Sequence, residues 1–300
     1  MKAALFALAL ALPAALHAQE IDIQTATGPV SVAQSPEKLA VYDLAAVDTL
    51  NALGVTIAAG PDIAPPDFLV PALADAQKVG TLFEPDFEAL AAFAPDLIIA
   101  GGRSSAQVDA LSRVAPTLDM TITGDALFEQ AEARLASYGT LFDKQDQAAS
   151  LKAELDAALA SARAAVAGKG NAMILLTNGG KMSAYGAGSR FGWLHTALDL
   201  PEARPGLKTE ASHGEAVSFE FIAETNPDWL LVLDRGAAVG QEGQAAAATL
   251  DNPLVAGTTA GQKGQIVYLN PAALYLSTGG VQSLTLLLNQ ITEAFGAAES

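Results

Sequence analysis

Read along its length, the chain alternates short apolar runs with amphipathic stretches of helical spacing, the grammar of βα units rather than of a bundle or a sandwich. Ile21 to Val32 alternates at period two around Thr27-Gly28-Pro29, which predicts two short strands and a turn. Lys38 to Asp43 is a buried parallel strand, Leu44 to Leu53 a helix ended by Gly54, and Val55 to Ile57 resumes the sheet. A proline-rich loop follows from Pro61 to Pro71, then Val79-Gly80, and Thr117 to Thr123 is the last strand of this first half. From about Asp125 to Gly168 the pattern becomes helical and proline-free, with Gln145 to Ala167 as one unbroken helix. The second half opens with a strand at Ala172 to Thr177 and a glycine-rich loop. It continues with helices near 191–198 and 241–248, a strand at Gln265 to Leu269 and a terminal helix from Gly279 to Phe295.

The two halves are related. Phe87 to Arg103, FEALAAFAPDLIIAGGR, returns without gaps as Phe219 to Arg235, FEFIAETNPDWLLVLDR, with six of seventeen positions identical. The offset of 132 residues exceeds the ~20–50 residue period of solenoids and propellers. Two similar α/β lobes are implied, an N-terminal one over 19–144 and a C-terminal one over 169–300, with the helix 145–168 as a bridge between them. Each copy reads as a short helix stopped by Pro-Asp and an apolar strand that delivers an arginine. Ligands of open α/β sheets gather at the strands' C-terminal ends, so facing lobes would bring Arg103 and Arg235 into one cleft.

Composition sharpens this picture. The first eighteen residues, one lysine followed by an apolar Ala/Leu run ending at Ala18, have the form of a cleavable secretory signal. They are too short for a convincing membrane span. There is no cysteine, hence no disulfide framework, no thiolate metal site and no lipid-bearing N-terminal cysteine. Losing Lys2 with the signal leaves 15 basic against 33 acidic residues, a net charge of −18. That charge suits solubility and disfavours nucleic acid or an anionic membrane as partner.

Against this acidic background the seven arginines stand out. Arg113, Arg134, Arg163 and Arg204 lie in polar stretches where a solvated surface role is the default. Arg103 and Arg235 follow apolar strands, and Arg190 sits in Gly186-Ala-Gly-Ser-Arg-Phe-Gly192 ahead of a helix. For any one alone a structural salt bridge is an equal reading; together the three suggest a local anion trap, because guanidinium is always charged and presents a planar fork of donors. The loop around Arg190 has GxGxxxG spacing and does not directly follow a strand, so it is a poor dinucleotide fingerprint. His195 falls at helical spacing and reads as packed. His213, in Ser212-His-Gly214, and Tyr275, between a strand and a helix, each read singly as surface loop residues and together as candidate ligands. Glu88 and Glu220 occupy equivalent helix starts, where a carboxylate meets the dipole favourably, or where each lobe shows one acidic knob to a two-fold partner.

These residues resemble a known family, the periplasmic substrate-binding proteins of ABC importers for iron complexes, nearest to the ferric-siderophore binders that prefer catecholates. The resemblance covers the chain after the signal. It rests on Ser35-Pro-Glu-Lys-Leu-Ala-Val-Tyr-Asp43, Pro85-Asp-Phe-Glu88, Ala94 to Arg103, Gly188-Ser-Arg-Phe-Gly192, Ser212-His-Gly214, Asn226-Pro-Asp228 with Asp234-Arg235, Asp251 to Val255, and Val267-Tyr-Leu269 running to Tyr275-Leu-Ser-Thr-Gly279. It implies two Rossmann-like lobes joined by a long helix, little hinge closure, and a shallow cleft for a ferric siderophore, with no cofactor. It implies further that Arg103, Arg190 and Arg235 contact anionic catecholate oxygens. His213 and Tyr275 would complete the coordination of ferric iron when the chelator supplies four donors, a phenolate being a fit ligand for a hard cation. Trp193 or Tyr42 would add aromatic contact. Glu88 and Glu220 would dock on an ABC permease, one per lobe, with the receptor acting as a monomer in the periplasm. Ser277-Thr278 departs from the Ala-Ser often found beside that tyrosine. The same scaffold carrying haem, a cobalamin or a hydroxamate chelate remains open. So does an exported α/β hydrolase, although no G-x-S-x-G elbow or H-E-x-x-H helix is present.

Overall fold

A computed structural model describes residues 19–122, 126–207, 214–241 and 243–297. The expected signal segment and His213 lie outside them. A hairpin of β1 (Glu20–Thr25) and β2 (Gly28–Ala33) precedes two five-stranded sheets. The first comprises β3 (Leu39–Val41), β4 (Ala59–Gly60), β5 (Gln77–Lys78), β6 (Leu97–Ala100) and β7 (Thr117–Asp119) in the order β5-β4-β3-β6-β7, all parallel. The second comprises β8 (Ala172–Asn178), β9 (Lys181–Tyr185), β10 (Glu215–Ala216), β11 (Trp229–Asp234) and β12 (Ile266–Tyr268) in the order β10-β9-β8-β11-β12. Here β8, β11 and β12 are parallel, while β9 runs antiparallel to both β8 and β10. Both sheets therefore reverse their strand order beside their first strand, β3/β6 in one and β8/β11 in the other. That reversal opens a crevice at the C-terminal strand ends, where doubly wound sheets bind ligands.

The repeat takes the same shape twice. Helix Phe87–Phe93 is capped by the Asp86 carboxylate on the Glu88 and Ala89 N–H groups, and helix Phe219–Thr225 by the Ser218 hydroxyl on Phe221 N–H. Ala94 and Asn226 leave the helices in the left-handed conformation, φ 51° and 47°, and each buries one residue of its helix completely, Leu90 and Ile222. The repeated aspartates do more than stop a helix. Asp96 accepts from Lys38 N–H at 2.8 Å and Asp228 from Asn171 N–H at 3.0 Å, so each ties the repeat to the segment feeding the neighbouring strand, β3 or β8.

The long helix runs Gln145–Val166, within a residue of expectation, and packs against helices Leu127–Leu141 and Val281–Ala297. Helix Val281–Ala297 in turn lies on helix Leu44–Ala52 of the first lobe, so the chain's last helix closes back across the molecule. Four expectations shift. The sheet resumes at Ala59–Gly60 rather than Val55 to Ile57; Ile57 is buried, but parallel pairing begins beyond it. The stretch after Gly179-Gly180, read as a glycine-rich loop, is strand β9, whose alternation of exposed Lys181 with buried Met182 and Ala184 is a hairpin pattern. The helix expected over 191–198 forms only at Trp193–Thr196, and that expected over 241–248 forms at Ala246–Leu250, where Asp234 accepts from Ala246 N–H.

Candidate functional site

The site is assembled from strand ends at the two switch points. In the first lobe β3 ends in Tyr42-Asp43. The Asp43 carboxylate caps helix Leu44–Ala52 through Ala46 N–H at 2.9 Å. β6 ends in Gly101-Gly102-Arg103, and the first glycine is required: a Cβ on Gly101 would stand 2.5 Å from Asp43 Oδ2. The chain then turns tightly over Gly102–Gln107 and throws Arg103 toward the second lobe. In that lobe β11 ends in Asp234, which caps the short helix Arg235–Ala238 through Ala237 N–H, and Arg235 faces Asn178 at the end of β8. Tyr275 is the last residue of a short helix, Pro271–Tyr275, which Asn270 caps through Ala273 N–H. The sequence predicts a loop at this position, and the structure has a short helix instead.

All three singled-out arginines converge on Tyr275. Arg103 Nη2 donates to the Tyr275 carbonyl at 2.9 Å and Nη1 to the Leu276 carbonyl at 3.4 Å. Arg190 Nη2 donates to the same Tyr275 carbonyl at 2.6 Å. Arg235 Nε donates to the Tyr275 hydroxyl at 3.1 Å, and its Nη1 to Asn178 and Gln241 side-chain carbonyls at 3.4 and 3.5 Å. The guanidinium carbons stand 5.1, 4.5 and 5.7 Å from the centre of the tyrosine ring for Arg103, Arg190 and Arg235, within cation–π range. Among the described residues none of the three forms an ion pair.

The electrostatics follow. Burial, reinforced by the neighbouring Arg190 charge, holds the Arg103 pKa below its ordinary value. Burial alone would raise the Tyr275 phenol, but the hydrogen bond and charge of Arg235 and the charge of Arg190 outweigh it, and the phenol lies below its ordinary 10.0. Like charges held this close repel one another, and an incoming anion relieves that repulsion.

Arg103, Arg190 and Tyr275 border a cleft of about 260 Å³ whose walls are about as polar as they are apolar, with Leu82, Ile122, Leu127 and Trp193 among the apolar residues and Asp43 among the polar ones. Asp43 lies above its ordinary carboxylate value because it is desolvated, despite the Ala46 and Ala45 N–H groups and the charges of Arg134 and Arg103. Tyr42 lines the cleft, but it is fully buried and its hydroxyl donates to Val79 O at 2.6 Å. Trp193 is the more available aromatic. Its partner as a fluorophore, Trp229, is stacked on Phe295 at 3.7 Å in the core.

The sequence missed the floor of this site. Arg134, read as a solvated surface residue, is half-buried: it donates to the Met120, Thr121 and Gln130 carbonyls and holds the wall after β7. Asn178 and Gln241 were not singled out, although Asn178 ends a strand at a switch point. His195 is packed as expected, with Nδ1 2.9 Å from the Leu200 carbonyl. Glu88 and Glu220 are both exposed at equivalent helix starts.

Comparison with known proteins agrees with this fold. Residues 39–273 match the model of a family described as periplasmic binding protein. The petrobactin-binding protein YclQ of Bacillus subtilis is 34% identical over 87% of this chain and 83% of its own length. The ferric-anguibactin-binding protein FatB of Vibrio anguillarum is 28% identical over 92% of this chain and 87% of its own. Among solved structures, the periplasmic catecholate-siderophore binding protein VctP of Vibrio cholerae superposes with a TM-score of 0.83 at 30% identity, covering 93% of this chain and 100% of that one.

Proposed function

Because this chain belongs to the periplasmic binding protein family, we propose that it is an exported, non-enzymatic receptor that captures an anionic ferric siderophore of catecholate type and passes it to an ABC importer. The observation that carries this reading is the convergence on one tyrosine of three arginines that have no ion-pair partner among the described residues, in a protein whose formal net charge is −17. A neutral cargo would gain little from three guanidinium groups; an anionic chelate gains charge-assisted hydrogen bonds from each. The relatives named for petrobactin, anguibactin and catecholate siderophores support the choice of ligand class.

Tyr275, its phenol already below the ordinary value, is a fit oxygen ligand for ferric iron left open by a tetradentate chelator, with His213 as the second protein donor. The lobes divide at the helix Gln145–Val166, with the N-terminal lobe over 19–144 and the C-terminal lobe over 169–300. Glu88 and Glu220 present one acidic contact from each lobe to the permease. The receptor works as a monomer in the periplasm after removal of residues 1–18. Among the described residues no helix is long and apolar enough to cross a membrane.

The test is a tryptophan fluorescence titration of the mature protein with ferric complexes of a tetradentate bis-catecholate, a hexadentate tris-catecholate and a hydroxamate, and with haem. Tight quenching by the catecholates is the expected result. Binding of haem or the hydroxamate alone would keep the importer scaffold and overturn the cargo.

A further inference from the structure

The segment just after Tyr275 is held by a second set of contacts, distinct from the arginines, that comes from the other lobe. Asp48, on helix Leu44–Ala52, is fully buried, and among the described residues it forms no ion pair. Its carboxylate sits at the start of helix Val281–Ala297. Oδ1 accepts from Gln282 N–H at 2.8 Å, and Oδ2 accepts from Ser283 N–H at 2.9 Å and from the Ser283 hydroxyl at 2.7 Å. The Ser283 hydroxyl is 2.7 Å from that of Ser277, also fully buried and two residues beyond Tyr275. With Asp48 ionised, Ser283 gives its proton to Asp48, and Ser277 donates to Ser283 in preference to its longer 3.4 Å contact with the Ala272 carbonyl, so one chain runs Ser277, Ser283, Asp48. The approach is close: a Cβ on Gly280 would stand 2.4 Å from the Asp48 carboxyl carbon. Arg103 grips the carbonyls of Tyr275 and Leu276 from the same lobe, so the segment 275–283 belongs to the second half of the sequence but is clamped at both ends by the first.

We infer that Asp48 is a positioning residue for Tyr275: through Ser283 and Ser277 it fixes, across the lobe boundary, the segment whose phenol and carbonyls the three arginines engage. A buried carboxylate is costly, and a helix start needs only an ordinary cap. The relay gives the buried carboxyl group a task a simple cap does not have. The inference concerns the ligand-free protein and does not depend on which anion the cleft takes.

The test reads the ionisation of Tyr275 without ligand. The chain has five tyrosines, and the phenols of Tyr42, Tyr138, Tyr185 and Tyr268 are all raised by burial, so Tyr275 ionises first in an ultraviolet titration. In Asp48→Asn and in Ser277→Ala its pKa should rise toward 10.0, as the ring drifts from Arg235 and Arg190. Thr49→Val is the control. Thr49 Oγ1 accepts from Val281 N–H at 3.3 Å and helps dock the same helix but does not touch the relay; it should lower the melting temperature and leave Tyr275 unmoved. Should Asp48→Asn not fold, Ser277→Ala carries the test alone. An unchanged Tyr275 titration in the folded relay variants, or an equal shift in Thr49→Val, would overturn the assignment. Loss of chelate binding by the wild type would instead count against the proposed cargo.

Discussion

The two copies of the repeated segment share a scaffold and divide the labour at its last residue. Up to the strand they are interchangeable: a capped two-turn helix, a left-handed exit, an aspartate tied to the segment before the first strand of its sheet, and an apolar strand. At the arginine they part. Arg103 follows two glycines that let it pass beneath Asp43, and it binds main-chain carbonyls of the opposite lobe; Arg235 follows a capping aspartate and binds the phenol itself. Duplication delivers a cation to each side of the cleft, and the two residues before it decide whether that cation joins the lobes or bonds the Tyr275 hydroxyl.

The sharpest way to separate these roles is to remove them one at a time. Arg235→Gln should weaken binding of a ferric bis-catecholate by ~10–100-fold, the worth of one charge-assisted hydrogen bond, and raise the Tyr275 pKa in a ligand-free titration. Arg103→Gln should show the opposite balance, a loss of ~1–3 kcal/mol in urea unfolding for two broken bonds to carbonyls, with less effect on the phenol.

A pH series sharpens the comparison from the side of the shared tyrosine and of Asp48. If the Tyr275 phenolate binds iron, affinity for a tetradentate chelate falls on acidification as protons compete for that oxygen, and the slope flattens in Tyr275→Phe. Asp48 acts on folding with the other sign. Burial pushes its carboxyl up from 3.8 to about 7, against the pull of its Ser283 and Gln282 hydrogen bonds. The folded state then holds a proton the unfolded chain has lost, so its contribution is most favourable at acid pH and declines as pH rises from about 4 to 7. Thermal melts across that window should show the decline, by at most ~4 kcal/mol, and Asp48→Asn should remove it.

Smaller still, Asp96→Ala and Asp228→Ala should cost similar amounts, ~1–2 kcal/mol each, in denaturant unfolding. A large inequality would mean that the two scaffolds are less alike than their geometry. Among optical reporters, Trp193→Phe should abolish most ligand quenching, while Trp229→Phe should leave it, since only Trp193 lines the cleft.

Much of this was legible in the sequence because the signals are local. The repeat, the long proline-free helix and the strand-ending arginines each follow from spacing, and the structure brings all three arginines to one tyrosine. What escaped depended on contacts distant in sequence. Arg134 looks like any helical surface cation until the carbonyls after β7 are seen to need donors. Asp48 looks like an ordinary polar position in a helix, and only the return of the terminal helix, more than two hundred residues later, buries it. Strand β9 was legible in its alternation but was obscured by the glycine pair that makes its turn.

The central claim, that the three arginines around Tyr275 form the trap for an anionic chelate, is tested most directly by one paired titration. The dissociation constants of a ferric bis-catecholate and of an uncharged ferric hydroxamate would be measured for the wild type and for the Arg103→Gln, Arg190→Gln, Arg235→Gln triple variant. The account predicts that the catecholate loses about three orders of magnitude or more while any hydroxamate binding barely changes. Equal affinity of the triple variant and the wild type for the catecholate would contradict it.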